Sequence, residues 1–96
     1  MLTIDESATT AIHELTNAAG VALDGGLRIA LATDTRERDF DLSIASGPAD
    51  GDRVVVCEAG ARVFLEPGAA DLLSDKVLDV RRRRAGRVHF GVYPQN

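Results

Sequence analysis

Along the first part of the chain Ala8, Ala11, Ile12, Leu15, Ala18 and Ala19 recur at three- and four-residue spacing. That is the period of a helix with one apolar face. The spacing predicts a helix over about residues 6 to 19, with Asp5 as N-cap and Glu6 in the first turn, near the positive end of the helix dipole. A short extended start, Leu2 to Ile4, leads into it. Gly20 suits the C-terminal stop, while Val21 to Leu23 leave a longer helix open. His13 and Glu14 fall on or near the polar side.

From Gly25 and Gly26, which mark a turn, the period changes from helical to two. Leu27, Ile29 and Leu31 alternate with Arg28 and Ala30, and Phe40, Leu42 and Ile44 alternate with Asp41 and Ser43. Each run predicts a half-buried strand. Thr33 to Asp39, between them, has no apolar anchor and reads as a solvated loop, and Ser46 to Asp52 reads as a turn. Val54 to Val56 begin another strand, Ala59 and Gly60 turn it, and Ala61, Val63 and Leu65 share one face of the next. Glu66 to Leu73 reads as a short helix with Pro67 in its first turn, where a missing N–H is harmless. Val77 to Val80 are strand-like, Ala85 and Gly86 turn the chain, and Val88, Phe90 and Val92 alternate to its end. Six or seven strands and two helices predict an α+β fold: one small domain over residues 1–96, an antiparallel or mixed sheet with helices on one side.

Composition narrows the class. A hydrophobic fraction of 45% and a charged fraction of 27% fit a globular chain. No apolar run approaches the roughly 20 residues of a membrane span. The opening MLTIDESA lacks the pattern of a secretory signal, so a cytoplasmic protein with no membrane association is expected. The net charge of -4 is uneven. Residues 1–75 carry five basic and fourteen acidic side chains, a balance of -9, and residues 76–96 carry six basic and one acidic, a balance of +5.

Chemistry-bearing motifs are few. The single cysteine, Cys57, excludes an intramolecular disulfide and any multi-cysteine metal site within one chain. It follows Val56 at a strand end and precedes Glu58, whose carboxylate disfavours the thiolate. Neither His13 nor His89 is tied to it by spacing, so Cys57 reads as packing. His13 is followed by Glu14, but the second histidine of a zinc helix is absent, and no P-loop or dinucleotide fingerprint is present. The expectation is a protein that is not an enzyme and holds no cofactor. His89, between Val88 and Phe90, is expected to face solvent or a partner.

The order of these segments resembles a family. GLRIALAT (Gly26 to Thr33), GARVFLEPGAADLL (Gly60 to Leu73), VLDVRRRRAGRVHF (Val77 to Phe90) and the final YPQN, after the opening DESATTAIHEL, are together similar to the HesB/IscA-like A-type iron–sulfur carriers. The likeness runs from about Leu2 to Asn96 and rests on order and spacing more than on any one motif. It implies a HesB/IscA-like fold, homo-oligomers and a three-cysteine ligand set. One family cysteine lies in a Ser-Gly-Cys-Ser-Gly-type loop, a position that falls near Thr35 or Arg36 here. The other two lie in a Cys-Gly-Cys tail past an Asn-Pro-like turn, and the present sequence ends at Tyr93-Pro94-Gln95-Asn96. Cys57 matches none of them. The resemblance thus implies a divergent member whose ligand positions are empty, because clusters need several soft thiolates.

Three functions follow as expectations. The first is a non-catalytic, protein-binding or regulatory paralogue with an unidentified protein partner. The second is a retained role in cluster or iron handling, with Asp34, Glu37, Asp39 and Asp41 as oxygen ligands near the lost-cysteine loop, although their spacing is not that of a calcium loop. The third is polyanion or nucleic-acid binding through Arg81, Arg82, Arg83 and Arg84, with Arg87 close behind. In an extended segment Arg81 and Arg83 would share one face, and Arg82 and Arg84 the other. Three phenylalanines, one tyrosine and no tryptophan leave little for base stacking, which argues against nucleic acid.

Overall fold

A computed structural model describes residues 2–21, 24–31, 40–57, 60–84 and 87–95, apart from the side chains of Arg83, Arg84 and Arg87. Seven strands and two helices occur among them: β1 (Thr3–Ile4), α1 (Glu6–Ala18), β2 (Gly26–Leu31), β3 (Phe40–Ala45), β4 (Arg53–Val56), β5 (Arg62–Leu65), α2 (Pro67–Leu72), β6 (Lys76–Arg84) and β7 (Arg87–Pro94). The loop expected from Thr33 to Asp39 and the turn at Ala85 and Gly86 lie outside the described residues.

Helix α1 begins as expected. The Asp5 carboxylate accepts the Ser7 amide at 3.1 Å and the Ser7 hydroxyl at 2.7 Å, satisfying one of the free N–H groups of the first turn. The helix also ends at the predicted glycine. Gly20 has φ +75°, its N–H donates to the Asn17 carbonyl, and the Val21 N–H reaches back to Thr16. These reciprocal bonds close a Schellman motif, so Val21 does not extend the helix. The buried stripe is Ala8, Ala11, Ile12 and Thr16, with Leu15 only half-buried and Ala18 and Ala19 exposed. Thr16 tolerates burial because its hydroxyl donates to the Ile12 carbonyl at 2.8 Å, inside its own helix.

The strands form two sheets rather than one. The larger runs β3-β2-β5-β4, with β2 and β5 parallel and the outer pairs antiparallel. The smaller runs β1-β6-β7, with β1 parallel to β6 and β7 antiparallel to it. Helix α1 packs on β6 and β2, one strand from each sheet, while α2 packs on β2 and β5. Ile12, Leu27, Ile29, Val63, Leu65, Leu73 and Leu78 form a shared core. Period two would leave Phe64 on the exposed face of β5, yet it is 1% exposed and lies outside that core. Its row across the outer face runs Ser43, Arg28, Phe64, Val54.

Two ties hold β2 in this arrangement. Arg28 donates Nε and Nη2 to the two carboxylate oxygens of Asp52, at 2.9 and 3.1 Å, and Asp52 also accepts the Ala49 amide. The N-cap of α2, Glu66, donates its backbone N–H to Ile29 and accepts the Leu31 N–H on its carboxylate. Gly26 opens β2 instead of turning the chain. A Cβ at this residue would run into the Arg62 backbone carbonyl of β5. Gly26→Ala should therefore lower the thermal midpoint by many degrees, whereas Gly47→Ala, where a Cβ meets nothing within 4 Å, should leave it nearly unchanged. Equal melting curves for the two variants would remove the close-approach argument.

Candidate functional site

Cys57 lies one residue past β4. Its amide donates to Ala61 at 2.7 Å and its carbonyl accepts the Gly60 N–H at 3.1 Å, with Gly60 at φ +85°, so the residue anchors the turn between β4 and β5. The thiol is half-buried in a cleft of about 420 Å³ walled by Leu2, Ile4, Glu6, Thr9, Val55, Val56 and Cys57. Burial pushes the thiol pKa up, and a hydrogen bond with the Thr9 side chain acts in the opposite sense with smaller effect. The sequence-based argument had the direction from the neighbouring carboxylate, but in the structure the cause is loss of water. No group of three or more His, Cys, Asp or Glu side chains that would hold a metal occurs among the described residues.

The lost-ligand positions Thr35 and Arg36 lie outside the described residues, as do Asp34, Glu37 and Asp39. Asp41 is exposed on β3. Leu31 and Phe40, the described residues on either side of that segment, face each other at one end of the sheet. Cys57 sits beyond Val56, opposite Ala61, at the other end, where β2 begins at Gly26. The six residues of β2 separate the two ends by roughly 17 Å of strand. Cys57 thus lies at the end of the sheet opposite to Leu31 and Phe40.

The arginine run is extended. Strand β6 continues to Arg84, pairing Arg82 with His89, Arg83 with Val88 and Arg84 with Arg87. A bulge between Val80 and Arg82 leaves Arg81 without a direct partner. It also breaks the expected alternation of the run. Arg82 falls on the face that holds Asp79 and Gly91, and the Arg81 side chain lies across Gly91 on that same face. The Arg81 guanidinium is 5.4 Å from the Tyr93 ring centroid, and its Nε is 3.3 Å from Asp79 Oδ1. That oxygen is buried and has no geometrically good hydrogen bond, so the attraction is Coulombic. Arg82 and His89 are exposed, as expected for His89.

His13 is half-buried, as fits a residue near the polar side of α1. Its Nε2 is shielded from water without a hydrogen-bond partner among the described residues. The sequence reading missed Thr9 and Glu6 as cleft walls, since both sat on a helix face with nothing to link them to Cys57. It also missed the Arg28–Asp52 pair. Arg28 fits a two-residue alternation and Asp52 fits a turn, and no local signal joins them.

Comparison with known proteins places the architecture. No protein-family model and no curated protein matches the chain. Among solved structures, Escherichia coli SufA, described as involved in biosynthesis of iron–sulfur clusters, superposes with a TM-score of 0.77 at 20% identity, covering 97% of this chain and 79% of that one. IscA with its [2Fe-2S] cluster superposes with a TM-score of 0.74 at 20% identity, covering 98% of this chain and 85% of that one. The two-sheet α+β domain is thus one with the architecture of iron–sulfur assembly proteins. Specifically, it has the HesB/IscA-like fold.

A resident cluster does not fit the donor set of the cleft. One thiol whose protonated form is favoured by burial, beside a threonine hydroxyl and a carboxylate, does not supply the several thiolates that iron–sulfur clusters use.

Two outcomes follow. Alkylation of Cys57 by iodoacetamide should show a pH midpoint above the roughly 8.5 of a free cysteine, and Thr9→Val should move it higher. A midpoint below the free value would mean that an unseen cation activates the thiol. The Arg28 guanidinium, through its hydrogen bonds, holds the Asp52 carboxyl below the usual carboxylate range. A depressed folded-state pKa contributes stability that is complete above the unfolded value of about 3.9 and is lost as pH falls through the folded value. Asp52→Asn should therefore melt lower than wild type at pH 7, and the gap should close below about pH 4. A gap that is constant down to pH 2 would assign the loss to packing instead.

Proposed function

We propose that this chain is a non-catalytic, protein-binding or regulatory variant of the HesB/IscA-like fold that does not itself carry an iron–sulfur cluster, and that it acts in the cytoplasm. The observation that supports this reading most is the position of Cys57. It lies at the opposite end of the β3-β2-β5-β4 sheet from the residues flanking the resembled ligand loop, in surroundings that favour the protonated thiol. One such thiol does not replace a three-cysteine ligand set, and arginine and threonine side chains are poor ligands for iron–sulfur iron. Among the described residues no helix is long and apolar enough to cross a membrane.

The fold then serves as a scaffold for surfaces. The basic ribbon of β6 and β7 is the surface that suits an acidic protein partner. Arg82 and His89 are exposed there side by side, and Arg81 is oriented by Tyr93 and Asp79. Nucleic acid fits less well, since the described residues of this ribbon face offer just the Tyr93 ring, which Arg81 already covers, and the small imidazole of His89.

The decisive experiment is anaerobic incubation of the purified protein with ferrous iron and sulfide, followed by desalting, absorbance spectra and metal analysis. Neither wild type nor Cys57→Ser should retain stoichiometric iron. Iron and sulfide retained by wild type and lost in Cys57→Ser would instead establish a carrier with a site shared between subunits.

A further inference from the structure

Strand β7 is eight residues long and, among the described residues, is paired along one edge only, to β6. The parity of its other edge is fixed. The Gln95 amide donates to the Asp75 carbonyl at 3.0 Å, which makes residues 75 and 95 a hydrogen-bonded pair of the antiparallel ladder. Tyr93 opposite Val77 and Gly91 opposite Asp79 continue that series. Ladders alternate, so the backbone groups of Val88, Phe90 and Val92 turn outward. Pro94 has the same parity, and its missing N–H costs the pairing with β6 nothing.

The two faces along this edge differ in chemistry. Phe90 and Val92 line a groove of about 250 Å³ whose opposite wall is Phe40 and Leu42 of β3, the outermost strand of the larger sheet. Leu42 is 39% exposed at this groove, while Ile29, its neighbour on β2, is buried. On the other face, exposed His89 is paired with exposed Arg82. The Arg81 side chain, itself 55% exposed, lies across Gly91 and takes up the charge of Asp79. Arg82 and His89 form no ion pair among the described residues.

These edge charges discriminate between occupants. A second copy of β7 would bring like charges together, a usual protection of an open edge. An anionic strand meets the opposite field. The balance of +5 over residues 76–96, against -9 over residues 1–75, steers it to this ribbon. We propose that the free edge of β7 takes an extended segment of an acidic partner protein as an added antiparallel strand, with acidic and apolar side chains alternating along it. The alternation follows from the parity. Segment residues opposite Phe90 and Val92 project into the groove beside Phe40 and Leu42. Those opposite His89 and Gly91 project onto the basic face, within reach of Arg82 and Arg81. Antiparallel pairing turns the N–H of each groove-facing residue toward β7 and that of each acidic residue away. The proposal rests on the protein-binding reading above and narrows it to one edge and one class of sequence.

The test uses the full chain and a fluorescein-labelled peptide in which glutamate and valine alternate over the length of β7. Binding should saturate in fluorescence anisotropy. A peptide of the same composition with its glutamates in one block should bind about tenfold more weakly. N-methylation of the valines should abolish binding, whereas N-methylation of the glutamates should leave most of it. Arg82→Glu and Leu42→Ser, both at exposed side chains, should each weaken binding about tenfold with unchanged far-UV circular dichroism. Equal affinity for the alternating and blocked peptides, with the dependence on Arg82 kept, would overturn strand addition and leave an acidic protein partner in place. Absence of binding up to millimolar peptide would overturn the proposal. Tighter binding of heparin or oligodeoxythymidylate than of the alternating peptide would overturn it too, and would assign the ribbon to a polyanion. Iron retained by wild type in the reconstitution experiment would instead remove the reading beneath it.

Discussion

Strand β2 is hydrogen-bonded along both edges, and the larger sheet takes its geometry from it. On one side β3 pairs over the whole strand, from Gly26 with Ala45 to Leu31 with Phe40. On the other, β5 runs parallel and close enough that only a glycine fits at the first residue. Parallel pairing cannot be made by a tight turn, so the chain must travel through β3 and β4 before β5 can join. Asp52, between β3 and β4, and Glu66, after β5, reach back to Arg28 and to the end of β2. The strand is thereby fixed by groups distant in sequence. Helices α1 and α2 both pack on it, which brings Ile12 and Leu73 into one core with Leu27 and Ile29.

The smaller sheet shows how local irregularity arranges charge. Strand β1 reaches only Leu78, and beyond it the Val80 amide is taken by the Ser7 hydroxyl of α1. Past that point β6 and β7 form a two-stranded ribbon, and the bulge at Arg81 changes which side chains share a face. Arg81 turns over Gly91 toward Tyr93 and Asp79, leaving Arg82 beside His89 in solvent. One arginine of the run is thus held by its neighbours while the next remains available. Spacing in the sequence treats them alike.

Cys57 illustrates how a reactive residue is made quiet. No cation is among the described residues that line its cleft, and although the first turn of α1 borders it through Glu6 and Thr9, burial disfavours the thiolate. Its backbone meanwhile closes the β4–β5 turn, so the residue has a structural task independent of its sulfur. The fold is that of SufA and IscA, but the fold alone assigns no chemistry to this thiol.

Much of the architecture was legible in the sequence because it is written in short-range patterns. Period and capping placed α1 from Asp5 to Gly20, alternation placed β2, β3 and β7, and Pro67 placed α2. The order of these segments was enough to point to the HesB/IscA-like fold. The sequence also determined that one chain offers one thiol. What only the tertiary structure decided involves partners far apart along the chain: the division into two sheets, the Arg28–Asp52 pair, the burial of Phe64, and Thr9 and Glu6 beside Cys57. Periodicity reports which face of an element is apolar, not what covers it, so it gave no sign that Phe64 is buried and set Leu15 on the apolar face although it is only half-buried. The bulge at Arg81 escaped for a related reason. Four consecutive arginines carry no signal of register, which is set by Gly91, Tyr93 and Asp79 on the paired strands.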